Sequence, residues 1–171
     1  MNKKRLLILV LAMGLIFPVF VSAETALDKH KEANKLMPEA AKLIREGKLD
    51  ESLIILRQAI AIAPKEPDMH MNYASVLFIK GQRFFQFGFN DNAKKVFKEA
   101  EDELITAIKL YKGSPDKDAK DFSKSQCYFL LGDIQHYVYK NDARAKSLYQ
   151  KSLEYNPNHG GALEALKRIS I

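Results

Sequence analysis

A single cysteine, Cys127, stands in 171 residues, so no intrachain disulfide can form and stability must come from packing. Its neighbours Tyr128, Phe129, Leu130 and Leu131 are apolar, which predicts a buried, inert thiol rather than a nucleophile. His30, His70, His136 and His159 are dispersed without the paired spacing that a metal site requires. There is no phosphate-cradling glycine loop, dinucleotide fingerprint or nucleophile elbow; the glycines fall at turns or where helices must meet closely. Nor is there a long block of one charge. Basic and acidic residues are mixed along the chain, which argues for solvated helix faces and against a nucleic-acid stripe. These absences predict a protein without metal or cofactor and without a reaction of its own.

The first 23 residues read as a separate object. Lys3, Lys4 and Arg5 precede an almost continuous apolar run, Leu6 to Val21, and Val21-Ser22-Ala23 forms a small-residue site before Glu24. This pattern resembles a secretory signal peptide. Its rival is an uncleaved anchor, because the run lies just short of the ~20 residues a spanning helix needs. Gly14 and Pro18 weaken such a helix, so cleavage is expected, leaving residues 24–171 with no stable membrane span. Loss of Lys3, Lys4 and Arg5 lowers the formal charge from +6 to +3, so the apparent basicity is largely a targeting signal. No cysteine directly follows the apolar run, so a lipoprotein anchor of the bacterial type is not expected.

What the remainder contains is helical punctuation. Between Asp28 and Glu46, Ala33, Leu36, Met37, Ala40, Leu43 and Ile44 recur at three- and four-residue steps, one face of a helix that Pro38 must either kink or start. Gly47-Lys48 closes it. Asp50 is placed to cap a second helix, whose apolar face runs through Leu53, Leu56, Ala59 and Ile60 to Pro64. Two further long amphipathic segments follow, the first through Met71, Ala74, Leu77 and Phe78, the second from Asp91 to Tyr111; together they predict one lengthened hairpin turning at Gly88 to Asp91. Lys112 to Asp118 predicts a loop. Beyond it, Cys127 to Val138 and Ala145 to Leu153 form a third pair, with a connecting turn one residue longer, and residues 159–170 predict a terminal helix covering the open end.

Leu36, Ala40, Leu43, Gly47, Leu49, Ser52, Leu56, Ala59 and Pro64 resemble one tetratricopeptide repeat, and Leu131-Gly132-Asp133-Ile134 with Ala145, Tyr149 and Pro157 resembles another. The resemblance implies an all-α solenoid of about three antiparallel hairpins, residues 28–66, 67–113 and 118–157, with a C-terminal capping helix. Ser52 departs from the usual alanine and Leu36 from the usual large aromatic.

The first helices of successive repeats line the inner groove of such a solenoid. The resemblance therefore implies groove walls at Asn34, Met37 and Arg45, at Met71, Ser75 and Phe78, and at Gln126, Phe129, Asp133, His136 and Tyr137. A peptide-binding branch of the family clamps a terminal carboxylate with lysine, arginine and asparagine. Only Asn72 matches here; the basic positions read Met37, Gln126 and Leu130, which implies no clamp of that kind. Asp133 and His136, three apart, predict a shared helix face and a structural pair, with an acid/base couple as the lesser alternative. Adjacent aromatics Phe84, Phe85, Phe87 and Phe89 cannot all face one side; core packing of the lengthened hairpin is the expectation, and an exposed docking tip, with Phe84 and Phe85 as its contact residues, is the alternative. The resulting expectation is an exported, non-catalytic adaptor of the bacterial periplasm or cell envelope that holds a protein or peptide in its groove. A small-ligand or lipid-binding subunit with an apolar pocket between the long helices is the alternative, and an enzyme using Asp133 and His136 the last.

Overall fold

The computed structural model describes residues 27–112 and 117–169. The expected leader, residues 1–23, and residues 113–116 of the expected loop lie outside the described residues. The helices are α1 (residues 27–35), α2 (Met37–Arg45), α3 (Leu49–Ile62), α4 (Pro67–Gln86), α5 (Asn90–Tyr111), α6 (Lys117–Asp133), α7 (Asp142–Tyr155) and α8 (Gly160–Ile169). A short π-helical segment, Ile134–Val138, continues α6. Among the described residues there is no strand. The chain is an all-α solenoid of antiparallel hairpins, α2–α3, α4–α5 and α6–α7, closed by α8.

Pro38 starts a helix rather than kinking one. The chain turns at Leu36, and proline enters the first turn of α2, where its missing N–H costs no hydrogen bond. Each hairpin then closes through a link of three residues, 46–48, 87–89 and 139–141. In the first two, Gly47 (φ +76°) and Gly88 (φ +79°) take the left-handed conformation, and the next residue's N–H reaches back five positions: Lys48 to Leu43 at 2.9 Å, Phe89 to Phe84 at 2.8 Å. In the third, Lys140 occupies that place at φ +54°. The extra residue expected there is absorbed by the π turn, where Tyr139 N–H bonds to Ile134 at 3.3 Å and Asn141 N–H to Gln135 at 2.9 Å. Asn141 then caps α7, accepting from the Arg144 N–H at 3.1 Å. Asp50 does not cap α3. Lys48 holds the cap position without a side-chain bond, and Asp50 is the second residue of the helix, paired with Lys80.

Small residues lie where the helices meet. Ala59, Ala74, Ala100, Ala107 and Ala145 are fully buried, and the Phe97 and Tyr149 rings fill the space between the two arms of their own hairpins, against Gly81 and Gly132. Ser52 and Ser152, in alanine's usual position, each bond to the preceding helix: Ser52 Oγ donates to Ala40 C=O at 3.3 Å and Ser152 Oγ to Ser125 C=O at 2.8 Å. A buried hydroxyl is tolerated because it finds a partner. Arg57, Tyr73 and Glu99 lock α3, α4 and α5: both Tyr73 and Arg57 donate to Glu99, the latter at 2.9 Å. Burial raises the Glu99 carboxyl, but those two donors outweigh it and leave the group below the ordinary range.

Candidate peptide-binding groove

Helix α4 organises the surface formed by the first helices. Asn72, Ser75, Ile79, Gln82 and Gln86 follow one another at steps of three and four, so they lie on one stripe along its length. An apolar cleft opens on either side of this ridge. The first, about 230 Å³, lies between α2 and α4, with Met37, Ala41 and Ile44 on one wall and Asn72, Ser75 and Ile79 on the other. The second, about 280 Å³, lies between the C-terminal half of α4 and the end of α6, lined by Phe78, Gln82, Phe85, Gln86, Asp133, Tyr137 and Val138. The ridge carries amides and a hydroxyl but no charge. An amide offers both donors and an acceptor, which suits the backbone of an extended chain.

Of the residues expected on the groove walls, Met37 and Ser75 meet at the first cleft and Phe78, Asp133 and Tyr137 at the second. Phe78 is mostly core, 7% exposed, with its ring edge-on to Phe97. Met71 turns inward, its sulfur accepting from the Tyr111 hydroxyl at 3.8 Å. Asn34 belongs to α1, where it bonds to His30 at 2.8 Å, and Arg45 projects from the end of α2; neither lines a cleft. Gln126 and Phe129 are half-buried and engaged by the terminal segment: Gln126 bonds to His159 at 3.0 Å, and the Phe129 ring lies 4.8 Å from the His159 ring and against Gly161. They are packing residues, not an open wall.

Asp133 and His136 do not form a pair. Asp133 is 8% exposed and accepts from the Tyr149 hydroxyl at 2.8 Å, whereas His136 turns to Asp142 of α7 at 2.6 Å. Burial raises the Asp133 carboxyl above its ordinary range, with the Tyr149 hydrogen bond opposing it. The Tyr149 phenol is raised in turn by burial and by its bond to Asp133, so it stays a donor. Tyr137, 41% exposed, accepts from Arg168 of α8 at 2.7 Å.

In the aromatic cluster Phe84 and Phe85 pack on the core, as the favoured reading expects, and are not the contact residues of an exposed tip. Phe85 packs on Phe97 with ring centres 5.5 Å apart, and Phe84 meets Phe89 edge-on at 6.2 Å; the rings left in solvent are Phe87 and Phe89, 73% and 58% exposed. Phe85 lies seven residues from Phe78 and so shares its inward face. Among the described residues no three His, Cys, Asp or Glu side chains are grouped to hold a metal ion, and no helix is long and apolar enough to cross a membrane.

Hairpins stacked in this order, with the first helices lining a common face, define a tetratricopeptide-like fold. Two solved structures share it. The first tetratricopeptide domain of Spaghetti (RPAP3), bound to the HSP90 peptide SRMEEVD, superposes with a TM-score of 0.61 at 23% identity over 82% of this chain and 91% of that one. The second tetratricopeptide domain of the human RPAP3 protein, in complex with the HSP70 peptide SGPTIEEVD, does so with a TM-score of 0.54 at 17% identity over 84% and 98%. No protein-family model matches the sequence, and no curated protein matches it.

Proposed function

We propose that this protein is a non-catalytic adaptor that binds an extended, uncharged protein segment across α4, one apolar side chain in each cleft and the amide ridge between them. The ridge flanked by two clefts is the observation that carries the reading. The two similar domains hold peptides ending in the acidic sequence EEVD. Here Met37, Gln126 and Leu130 replace the cations that would read such an end, and a desolvated carboxylate without a cationic partner is unfavourable. Anchoring is therefore apolar.

The clefts are offset by about seven residues along α4, or ~10 Å, and by one helix spacing of ~9 Å across it. Their separation of roughly 14 Å corresponds to about four residues of extended chain. At about 230 and 280 Å³ they are smaller than the ~300–1,000 Å³ of a typical small-molecule site, which favours side chains of a polymer over a lipid or cofactor. Asp133 and His136, each engaged with a different partner, offer no acid/base couple.

Selection from a displayed library of random peptides tests this reading. Enriched sequences should carry two apolar residues about four apart, and Ile79→Lys should weaken the best peptide at least tenfold, the loss of one buried anchor. Ile54→Lys, at an exposed position outside both clefts, should leave binding intact. Equal effects of the two changes, or selection of acidic C-termini, would count against the groove as drawn. We further propose that residues 1–23 direct export. The mass of the mature amino terminus from the cell envelope tests it; an intact leader on soluble cytoplasmic protein would refute it.

A further inference from the structure

The longest pair of helices ends in two exposed aromatic rings. Helices α4 and α5 have 20 and 22 residues against 9 and 14 for α2 and α3, and their link is Phe87-Gly88-Phe89. Phe87 is 73% and Phe89 58% exposed, and no heavy atom lies within 4 Å of the space beside the Gly88 Cα. Phe89 keeps one edge contact with Phe84, but most of both rings faces solvent at the apex of a hairpin, on a turn fixed by a left-handed glycine.

The charge around them is one-sided. Glu46 and Asp50 are matched by Lys48 and Lys80. That leaves Glu51 and Asp91 against Arg83, Lys94 and Lys95, none of which has a carboxylate within ion-pair distance among the described residues. The Arg83 guanidinium donates to the Gly47 carbonyl at 3.0 Å. Lys94 and Lys95 lie in the second turn of α5, and helix side chains lean toward their own N-terminus, here toward the tip.

We propose that this tip is a peripheral docking point for an anionic lipid surface, with Phe87 and Phe89 entering the headgroup region and the surrounding cations holding the protein against negative charge. Phenylalanine is among the apolar side chains that enter the boundary between headgroups and acyl chains, and basic residues near it add attraction. A protein partner fits less well. Two partly exposed phenylalanines present roughly 250 Å², against the ~800 Å² per side of a stable protein interface. A lipid interface accepts a narrow wedge because its molecules part around it.

The chain contains no tryptophan, so Phe87→Trp in the full-length protein supplies a single fluorophore at the tip. Its emission should shift to the blue on vesicles of equal parts phosphatidylglycerol and phosphatidylcholine, stay unshifted on phosphatidylcholine alone, and return toward the free value in high salt. Adding Lys94→Gln and Lys95→Gln should weaken binding by about fivefold for each lysine. Ile79→Lys in the groove should change nothing. The proposal is overturned by an unshifted emission on anionic vesicles, including the case in which the leader alone binds them. It is equally overturned by an equal shift on neutral vesicles, or by a shift that grows with protein concentration in the absence of lipid, which would assign the tip to a second copy.

Discussion

Gly132→Ala is the sharpest test of how the third hairpin is held. A Cβ at Gly132 would lie 2.4 Å from the Tyr149 ring, where carbon atoms prefer ~3.5–4.0 Å, so the ring would have to move by more than an ångström. It has nowhere to go. Tyr149 is 0% exposed, packed against Phe129 and tied through its hydroxyl to Asp133 at 2.8 Å. Overpacking of this kind costs about 1–3 kcal/mol, and breaking the bond to the carboxylate costs about 1.5–3 kcal/mol more. Alanine returns about 1 kcal/mol of helix propensity. The net loss is about 3 kcal/mol, or about 6–12 °C in Tm for a chain of this size.

Gly160→Ala supplies the control, because no atom lies within 4 Å of its added Cβ. Urea denaturation followed by circular dichroism should show that variant unchanged or slightly more stable. Gly81→Ala should fall between the two, since its Cβ would meet the Phe97 ring at 2.8 Å. If Gly132→Ala lost less than Gly81→Ala, the tight contact between α6 and α7 would not be what holds the third hairpin.

Asp133→Asn keeps an acceptor for Tyr149 while removing a charge that burial disfavours. Because the folded-state pKa is raised, stability is fully present below the ordinary aspartate value of 3.8 and is lost as pH rises through the higher folded value. The variant should therefore gain on wild type between acid and neutral pH in urea titrations; a constant difference would refute the assignment. Lys140→Gly should stabilise by about 1 kcal/mol, the cost of a left-handed non-glycine residue, in the same titration. The Cys127 thiol, 0% exposed and pushed up to about 12 by burial, should react with an aromatic disulfide reagent only when the chain is unfolded. Fast reaction of the folded protein would contradict the packing of α6.

The hairpins were legible because their punctuation is chemical. Gly47 and Gly88 mark turns that need a left-handed residue, Pro38 fits only a helix start, and alternating small and large side chains reveal which faces meet. The third turn was half hidden. One extra residue was visible, but a left-handed Lys140 carries no sequence signal, and nothing local announces that the end of α6 widens into a π turn. In that wider segment His136 turns to Asp142 instead of pairing with Asp133. A spacing of three places two side chains together only while the helix keeps 3.6 residues per turn, and His136 lies in the wider segment. Gln126 and Phe129 were misread for a different reason. Their face does point along the first-helix surface, but what covers it is Gly161 and His159, more than thirty residues away in sequence. The α4 stripe was available throughout; extending Ser75 by alternate steps of four and three reaches Ile79, Gln82 and Gln86.

Helix α4 serves three faces at once, and that fixes how they relate. Tyr73, Ala74 and Leu77 enter the core, Asn72 to Gln86 form the groove ridge, and the C-terminal end leads into the aromatic turn. A helix secured to α5 along its length transmits position without bending, so groove and tip keep a constant separation. From Ser75 to Phe87 the rise is about 18 Å at ~1.5 Å per residue. With the tip at a lipid surface, a segment lying across α4 would be held within roughly 20 Å of the headgroups. Lengthening both arms of one hairpin equally is the change that adds such a spacer without disturbing the packing of its neighbours: the two antiparallel helices extend together, and each residue added to one finds a partner on the other.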